Sequence, residues 1–443
     1  MTSEQTLALL VLAAVVTALI WNKIRSDVVA LAGAAALLAT GTVRPVEVQG
    51  AFASPAILAL ASLFVLAYAM ELSGVLDLLI RAATRLCRRL GALGLWMVIA
   101  LCGGASAFLN NTPIVVLAAP VVRDVARSMG VSPRRFLIPL SYITIMGGAC
   151  TLIGTSTNLL VNDMARNAGQ PTFGMFEMTP VGLLLALAGG LYLFLAGGSL
   201  AREAEPASSG SASEPVSFRG PGSGESAPAD GAFPGDPAVF ATARPLNTRR
   251  AVLSLGVFAA VVTIAAMGLL PIAAAAFAGA VLLILLRVIS AEEAYRGLRP
   301  EVLLLVAGMV VVGLSLEVTG LATAATSLFA DLTRSLGPFG ALILLYGATL
   351  FLTEILSNAA VAVLLTPVAV ALAESLGVSA RPFLVAVMMA ASAAFATPFG
   401  YQTNVLVFQM GGYTYMDFVR LGVPLNLLTW VVGVLAIPAF FPF

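Results

Sequence analysis

Asn110-Asn111-Thr112-Pro113 and Ser357-Asn358-Ala359-Ala360 are short polar clusters set in long apolar stretches. An amide in hydrocarbon is costly unless it is paired. These side chains therefore either hydrogen-bond a neighbouring helix or line a site that a ligand completes. If helices break beside them, the new N-termini offer free N–H groups and positive dipole ends, which suit an anion. The carbonyls released where half-helices end suit a hard cation such as sodium. Asn111 and Thr112 stand as caps ahead of Pro113, a residue favoured in the first helical turn. Ser106 and Thr353, one turn before each cluster, are candidate cation oxygens. Glu354 is the carboxylate inside the second cluster's stretch, either a coupling proton site or, the preferred reading, a structural acid.

The two clusters belong to a longer repeat. Sliding the chain by 247 positions aligns residues 109–137 with 356–384 at 14 identities in 29, among them Asn111/Asn358, Pro120/Pro367 and Gly130/Gly377. A shift of 246 pairs Gly154-Thr155-Ser156-Thr157-Asn158 with Gly400-Tyr401-Gln402-Thr403-Asn404. The same shift pairs Glu71 with Glu317, where a cap or hinge role is expected.

A chain with 60% hydrophobic and 10% charged residues and a mean hydropathy of +1.00 belongs in a bilayer. A net charge of +1 gives no hint of nucleic-acid binding. There is no His, and Cys87, Cys102 and Cys150 are scattered, so they read as packing residues and no cofactor is expected. An intramembrane enzyme is disfavoured, since no Cys stands beside a base and Glu354 aligns with Ala107 in the other copy. A membrane anchor that signals through its linker has only the linker's flexibility in its favour. No basic stretch precedes the first apolar run, so that run is expected to be retained as a span.

The elements follow. Residues 7–21, 28–42, 55–70 and 180–196 read as spans, 91–127 as a re-entrant hairpin, and 136–161 as a span broken at 154–158. The second half replays this with spans at 251–270, 272–288, 302–316 and 422–440, a hairpin at 339–374 and a broken span at 383–408. Surface arms are expected at 72–90 and 317–336. The division is thus a first repeat over 1–200, a disordered polar linker over 201–250 and a second repeat over 251–443. The fold class is an all-α polytopic membrane protein of about ten transmembrane helices, two re-entrant hairpins and two interfacial arms. Five spans per half require the copies to be inverted. Placing the linker in the cytoplasm leaves only Arg44, Arg166, Arg334 and Arg381 outside, so both termini are expected outside the cytoplasmic membrane.

At these residues the sequence resembles the divalent anion:sodium symporter family of the citrate-transporter-like ion transporter superfamily. The resemblance rests on the paired hairpin motifs, on Thr353-Glu354-Ile355-Leu356-Ser357-Asn358, on the 154–158 run and on Thr397-Pro398-Phe399-Gly400-Tyr401-Gln402-Thr403-Asn404. It implies a sodium-coupled symporter, a homodimer, whose mobile domain moves like an elevator against a scaffold. It implies one sodium at Ser106, Asn110, Asn111 and Gly154, and a second at Thr353, Ser357, Asn358 and Ala396. The anion would lie between Asn111, Thr112, Asn358 and Thr397, while Asn158 and Asn404 in the broken helices are candidates for a structural or coupling role. Some relatives carry soluble domains between the halves, for which this linker is too short. Asn110 and Ala359 depart from the family's serine and threonine at these positions. The missing hydroxyl at 359 favours a compact oxyanion such as sulfate over a dicarboxylate. A cation/proton antiporter or an arsenite carrier is the alternative within transport.

Overall fold

The computed structural model describes residues 3–21, 24–75, 91–197, 246–320, 336–398 and 400–443. The expected linker and both surface arms fall almost wholly outside the described residues. Among the described residues all regular structure is α-helical, with nine helices before the linker and nine after it. The first nine are α1 (Ser3–Trp21), α2 (Ser26–Ala39), α3 (Pro45–Phe52), α4 (Pro55–Leu72), α5 (Ala92–Ser106), α6 (Asn111–Ser128), α7 (Arg134–Ala149), α8 (Ser156–Asn167) and α9 (Thr179–Ala196). The second nine are α10 (Thr248–Ala266), α11 (Ile272–Leu285), α12 (Ala291–Gly297), α13 (Pro300–Val318), α14 (Gly337–Thr353), α15 (Asn358–Leu376), α16 (Arg381–Ala391), α17 (Gln402–Gly411) and α18 (Tyr415–Phe440).

Packing exchanges partners between the halves. Helix α2 packs on α13 and α4 on α11, while α8 packs on α15 and α6 on α17. Each contact is matched by the one obtained when the two halves swap roles. The helices also sort into two groups. The first is α1–α4 with α10–α13, and the second is α5–α9 with α14–α18; their main contacts are α13 on α15 and α4 on α8.

Why the helices end where they do is local. Helices α5 and α6 pack together as a hairpin with its turn at 107–110, and α14 and α15 do the same around 354–357. Helices α7 and α8 are separated by 150–155, and α16 and α17 by 392–401. The first break therefore overlaps the expected 154–158 only at 154–155, because Thr155 accepts a hydrogen bond from Thr157 N and so caps α8. Each break is cradled by a glycine of the last helix in its half. A Cβ on Gly182 would stand 2.7 Å from Cys150 Cα, and one on Gly422 would stand 2.0 Å from Phe395 O. Only the bare backbone fits there.

Among the described residues five stretches are long and apolar enough to cross a membrane: Pro45–Leu72, which runs through α3 and α4, and Thr179–Ala196, Thr248–Ala266, Asn358–Leu376 and Tyr415–Phe440. The pair α12 and α13, bent by 55°, makes a sixth when taken together. At 15 residues α5 reaches about 22 Å against a hydrocarbon core of about 30 Å. In contrast, α15 has 19 residues and is long enough to cross alone, so length does not make it re-entrant. Exposed leucines and valines recur every four residues at Leu187, Leu191 and Leu195 and at Val423, Leu427, Val431 and Leu435, which gives α9 and α18 apolar outer faces suited to lipid.

Candidate functional site

The expected caps of the first cluster, Asn111 and Thr112, lie just past the observed one. In the first cluster it is Asn110 that caps α6, its Oδ1 accepting from Thr112 N at 3.3 Å, while Asn111 sits inside the first turn. In the second, Ser357 caps α15 by accepting from Ala360 N at 3.3 Å. With the capping role filled, each following asparagine turns back to the helix before it. Ser106 Oγ donates to Asn111 Oδ1, and Thr353 Oγ1 donates to Asn358 Oδ1 at 2.9 Å. Ser106, Asn111 and Thr353 are buried. The same five-residue link closes both hairpin tips.

Around the first tip oxygen atoms converge. A Cβ on Gly154 would stand 2.3 Å from Gly148 O, 2.8 Å from Ser106 O and 2.9 Å from Ala107 O. One on Gly148 would meet Asn111 Oδ1 at 2.5 Å and Gly154 O at 3.1 Å. Thr151 Oγ1 donates to Ala107 O and accepts from Gly154 N at 3.1 Å, which holds the break against the tip. Glycine at 148 and 154 is what lets these carbonyls approach. The cluster is all oxygen, and among the described residues no group of His, Cys, Asp or Glu could hold a metal. Oxygen donors of this kind suit a hard cation better than a transition metal.

The second tip is built similarly, with a carboxylate added. Thr353 Oγ1 also lies 2.7 Å from Ala391 O, at the end of α16. Glu354 Oε1 accepts from Ala396 N at 2.8 Å and from Asn426 Nδ2 at 2.7 Å, whereas its Oε2 is buried with no partner among the described residues. Thr397 Oγ1 accepts from Gly400 N at 3.1 Å. Asn158 and Asn404 staple the breaks rather than line the tips: Asn158 Nδ2 donates to Thr151 O at 2.9 Å, and Asn404 Nδ2 donates to Ala394 O at 2.9 Å and Thr397 O at 3.2 Å.

The two tips are joined across the halves. Asn111 Nδ2 donates to Tyr401 Oη at 2.8 Å, and Thr112 Oγ1 donates to Gln402 Oε1 at 3.3 Å. Tyr401 and Gln402 begin the helix after the second break, so the first asparagine reaches the loop that carries Ala396 and Thr397. A small cavity of about 40 Å³ lies here, lined by Asn110, Gly154, Thr155, Ser156 and Tyr401 with apolar residues of α4. Asn358 does not line it. The structure thus gathers Ser106, Asn110, Asn111, Thr112 and Gly154 at one tip, and Thr353, Ser357, Asn358, Ala396 and Thr397 at the other. It links them through the second break.

Four residues at or beside the site were not singled out from the sequence. Tyr401 and Gln402 lay within a repeat match but aligned with Thr155 and Ser156, and so had no twin of the same type. Thr151 and Asn426 are lone polar residues in apolar runs, the signal that could have found them.

Comparison with known proteins agrees with this architecture. The model of the citrate transporter family matches residues 16–380. An uncharacterized transporter of Synechocystis is 27% identical over 96% of this chain and 94% of its own length. A probable sodium/sulfate cotransporter of Chlamydomonas reinhardtii is 44% identical, over 20% of this chain and 11% of its own length. The structure of the Alcanivorax borkumensis YdaH transporter superposes with a TM-score of 0.60 at 14% identity, covering 96% of this chain and 98% of that one. An all-helical membrane fold and a family match over most of its length mean that this chain belongs to the citrate transporter family, a family of membrane transporters and not of enzymes.

Proposed function

We propose that the chain carries out secondary active transport of a small, divalent anion, by sodium-coupled symport. The observation that carries this reading is the oxygen cluster at the Ser106–Asn111–Gly154 tip together with its counterpart at Thr353–Asn358. One sodium is assigned to Ser106, Asn110, Asn111 and Gly154, and a second to Thr353, Ser357, Asn358 and Ala396. Asn110 and Ser357 are already committed as caps, so they contribute by fixing the turns from which the other donors point. The anion is assigned to donors of Asn111, Thr112, Asn358 and Thr397. Ala359 offers no hydroxyl, and a lost hydrogen bond to a charged group is worth about 1.5–3 kcal/mol, which favours a compact oxyanion. Sulfate is therefore preferred over a dicarboxylate. The names of the Chlamydomonas relatives point the same way.

The reciprocal packing of the two halves supports a pair of inverted repeats, and the two helix groups support an elevator. In that reading α1–α4 and α10–α13 form the scaffold, and the hairpins and broken helices move against it in the cytoplasmic membrane. Both termini lie outside, the linker lies inside, and the unit is a homodimer. One observation favours the alternative of proton coupling, as in an antiporter: the partnerless buried oxygen of Glu354.

Uptake of labelled sulfate and succinate into proteoliposomes, with sodium or choline outside, tests the proposal. Sodium-dependent sulfate uptake is expected. Net inward positive charge would add voltage sensitivity, since 100 mV is worth about 2.3 kcal/mol per charge. Uptake indifferent to sodium and driven by a pH gradient alone would replace symport with the proton-coupled reading.

A further inference from the structure

We propose that a cleft at the α10–α11–α12 end of the protein binds the phosphate headgroup of an anionic membrane lipid. The cleft encloses about 550 Å³ and presents three guanidinium groups, from Arg250, Arg287 and Arg296. Two carboxylates also face it. Glu293 is committed, its Oε2 accepting from Ser290 N at 2.8 Å and its Oε1 from Arg250 at 3.3 Å. Glu292 lies one turn before Arg296 on α12. The balance is one net positive charge, with Arg287 in no ion pair among the described residues.

The backbone at Arg287 is the second, independent observation. Helix α11 ends in a Schellman-type turn, Arg287 N donating to Ile284 O at 3.0 Å and Val288 N to Leu283 O at 3.0 Å. That turn places Arg287 in the left-handed region at φ 54°, the one non-glycine residue with positive φ among those described. The 246-residue shift aligns it with Gly41, which closes α2 at φ 73°. Glycine adopts this conformation freely, whereas arginine is strained in it. The second half thus tolerates strain that the first half avoids, and the cleft gives the arginine a use.

The surroundings specify a lipid over a free ion. Leu282, Leu285 and Leu286 are exposed on the turn leading into Arg287, and Tyr295 is exposed on α12, next to Arg296. An acyl chain can lie on those leucines while its headgroup enters the cleft, with the tyrosine at the interface.

Thermal melting of the full-length chain in a neutral detergent tests this. Phosphatidylglycerol should raise the melting temperature by several degrees. Phosphatidylcholine of the same chain length and inorganic phosphate should not, and added salt should shrink the shift. Arg287→Gly should melt no lower than wild type without lipid, because glycine fits the turn, yet lose the phosphatidylglycerol shift. Arg287→Lys should keep part of it and Arg296→Gln should reduce it. An undiminished shift in Arg287→Gly, or equal shifts with phosphatidylcholine, would overturn the proposal. A full shift from inorganic phosphate alone would overturn the choice of a lipid.

Discussion

Gly154→Ala tests the cation site most directly. The added methyl would stand 2.3 Å from Gly148 O, 2.8 Å from Ser106 O and 2.9 Å from Ala107 O. All three are backbone atoms, which cannot swing aside as the end of a side chain can. Room must come from moving the break away from the hairpin tip, and overpacking of this kind costs about 1–3 kcal/mol. If the carbonyls proposed to surround sodium move outward, much of that cost falls on ion binding. At about 1.4 kcal/mol per tenfold, sodium half-saturation rises about 5- to 150-fold. The assay is sulfate uptake into proteoliposomes across a sodium titration, paired with melting in sodium and in choline. Gly104→Ala is the control, because nothing lies within 4 Å of a Cβ there, and it should leave uptake unchanged. A Gly154→Ala protein with wild-type sodium dependence and a wild-type sodium-induced melting shift would refute the argument that this carbonyl cluster binds the ion.

Three further outcomes are expected. Asn358→Asp keeps the oxygen that Thr353 Oγ1 bonds but replaces the amide donor with a negative charge; it should weaken sulfate uptake about 10-fold or more while the sodium-induced melting shift survives, and unchanged sulfate uptake would remove Asn358 from the anion site. Glu354→Gln keeps an acceptor for Ala396 N and should retain sodium-driven uptake, whereas Glu354→Ala strands that N–H and the Asn426 amide at a cost of about 1–3 kcal/mol, read as a lowered melting temperature. If Glu354→Gln abolishes uptake without lowering the melting temperature, the acid is a coupling group. Asp163 joins the two helix groups, accepting from Ser54 Oγ at 2.6 Å and pairing with Arg166 at 2.8 Å. Asp163→Asn should change the rate of uptake more than its half-saturation, and since Arg166 is 41% exposed the stability loss should be below the 3–5 kcal/mol typical of a fully buried pair.

Much of this was legible because amides in hydrocarbon are rare and expensive. Asn111 and Asn358 stood out against apolar flanks, and the repeat gave them twins. The repeat also announced the two breaks, since Gly154 and Gly400 recur at matched positions. What stayed hidden depends on geometry that a linear pattern does not carry. Whether Asn110 or Asn111 caps α6 turns on one residue of helical phase, and both are good capping types. The bonds from Asn111 to Tyr401 and from Thr112 to Gln402 span 290 positions, and no local period predicts them. Asn426 sits in an apolar run of α18 with no counterpart in α9, so the repeat was silent about it. The position of the first break was misjudged because Ser156, Thr157 and Asn158 look like unwound residues, yet they open α8 once Thr155 caps it.

The departures from symmetry say more about the substrate than the symmetry does. Both tips satisfy the asparagine oxygen in the same way, through a hydroxyl five residues earlier. The amide nitrogens differ. Asn111 Nδ2 is engaged by Tyr401, whose place in the other copy is taken by Thr155. Among the described residues Asn358 Nδ2 has no protein partner, and the next residue, Ala359, adds none. In the proposed site this half-buried amide is the donor left for the anion. In the proposed site one amide donor on the Asn358 side, together with the Thr112 and Thr397 hydroxyls, suits a small anion that accepts bonds from several directions. It suits less well an extended molecule whose second carboxylate would need its own pair of donors at position 359.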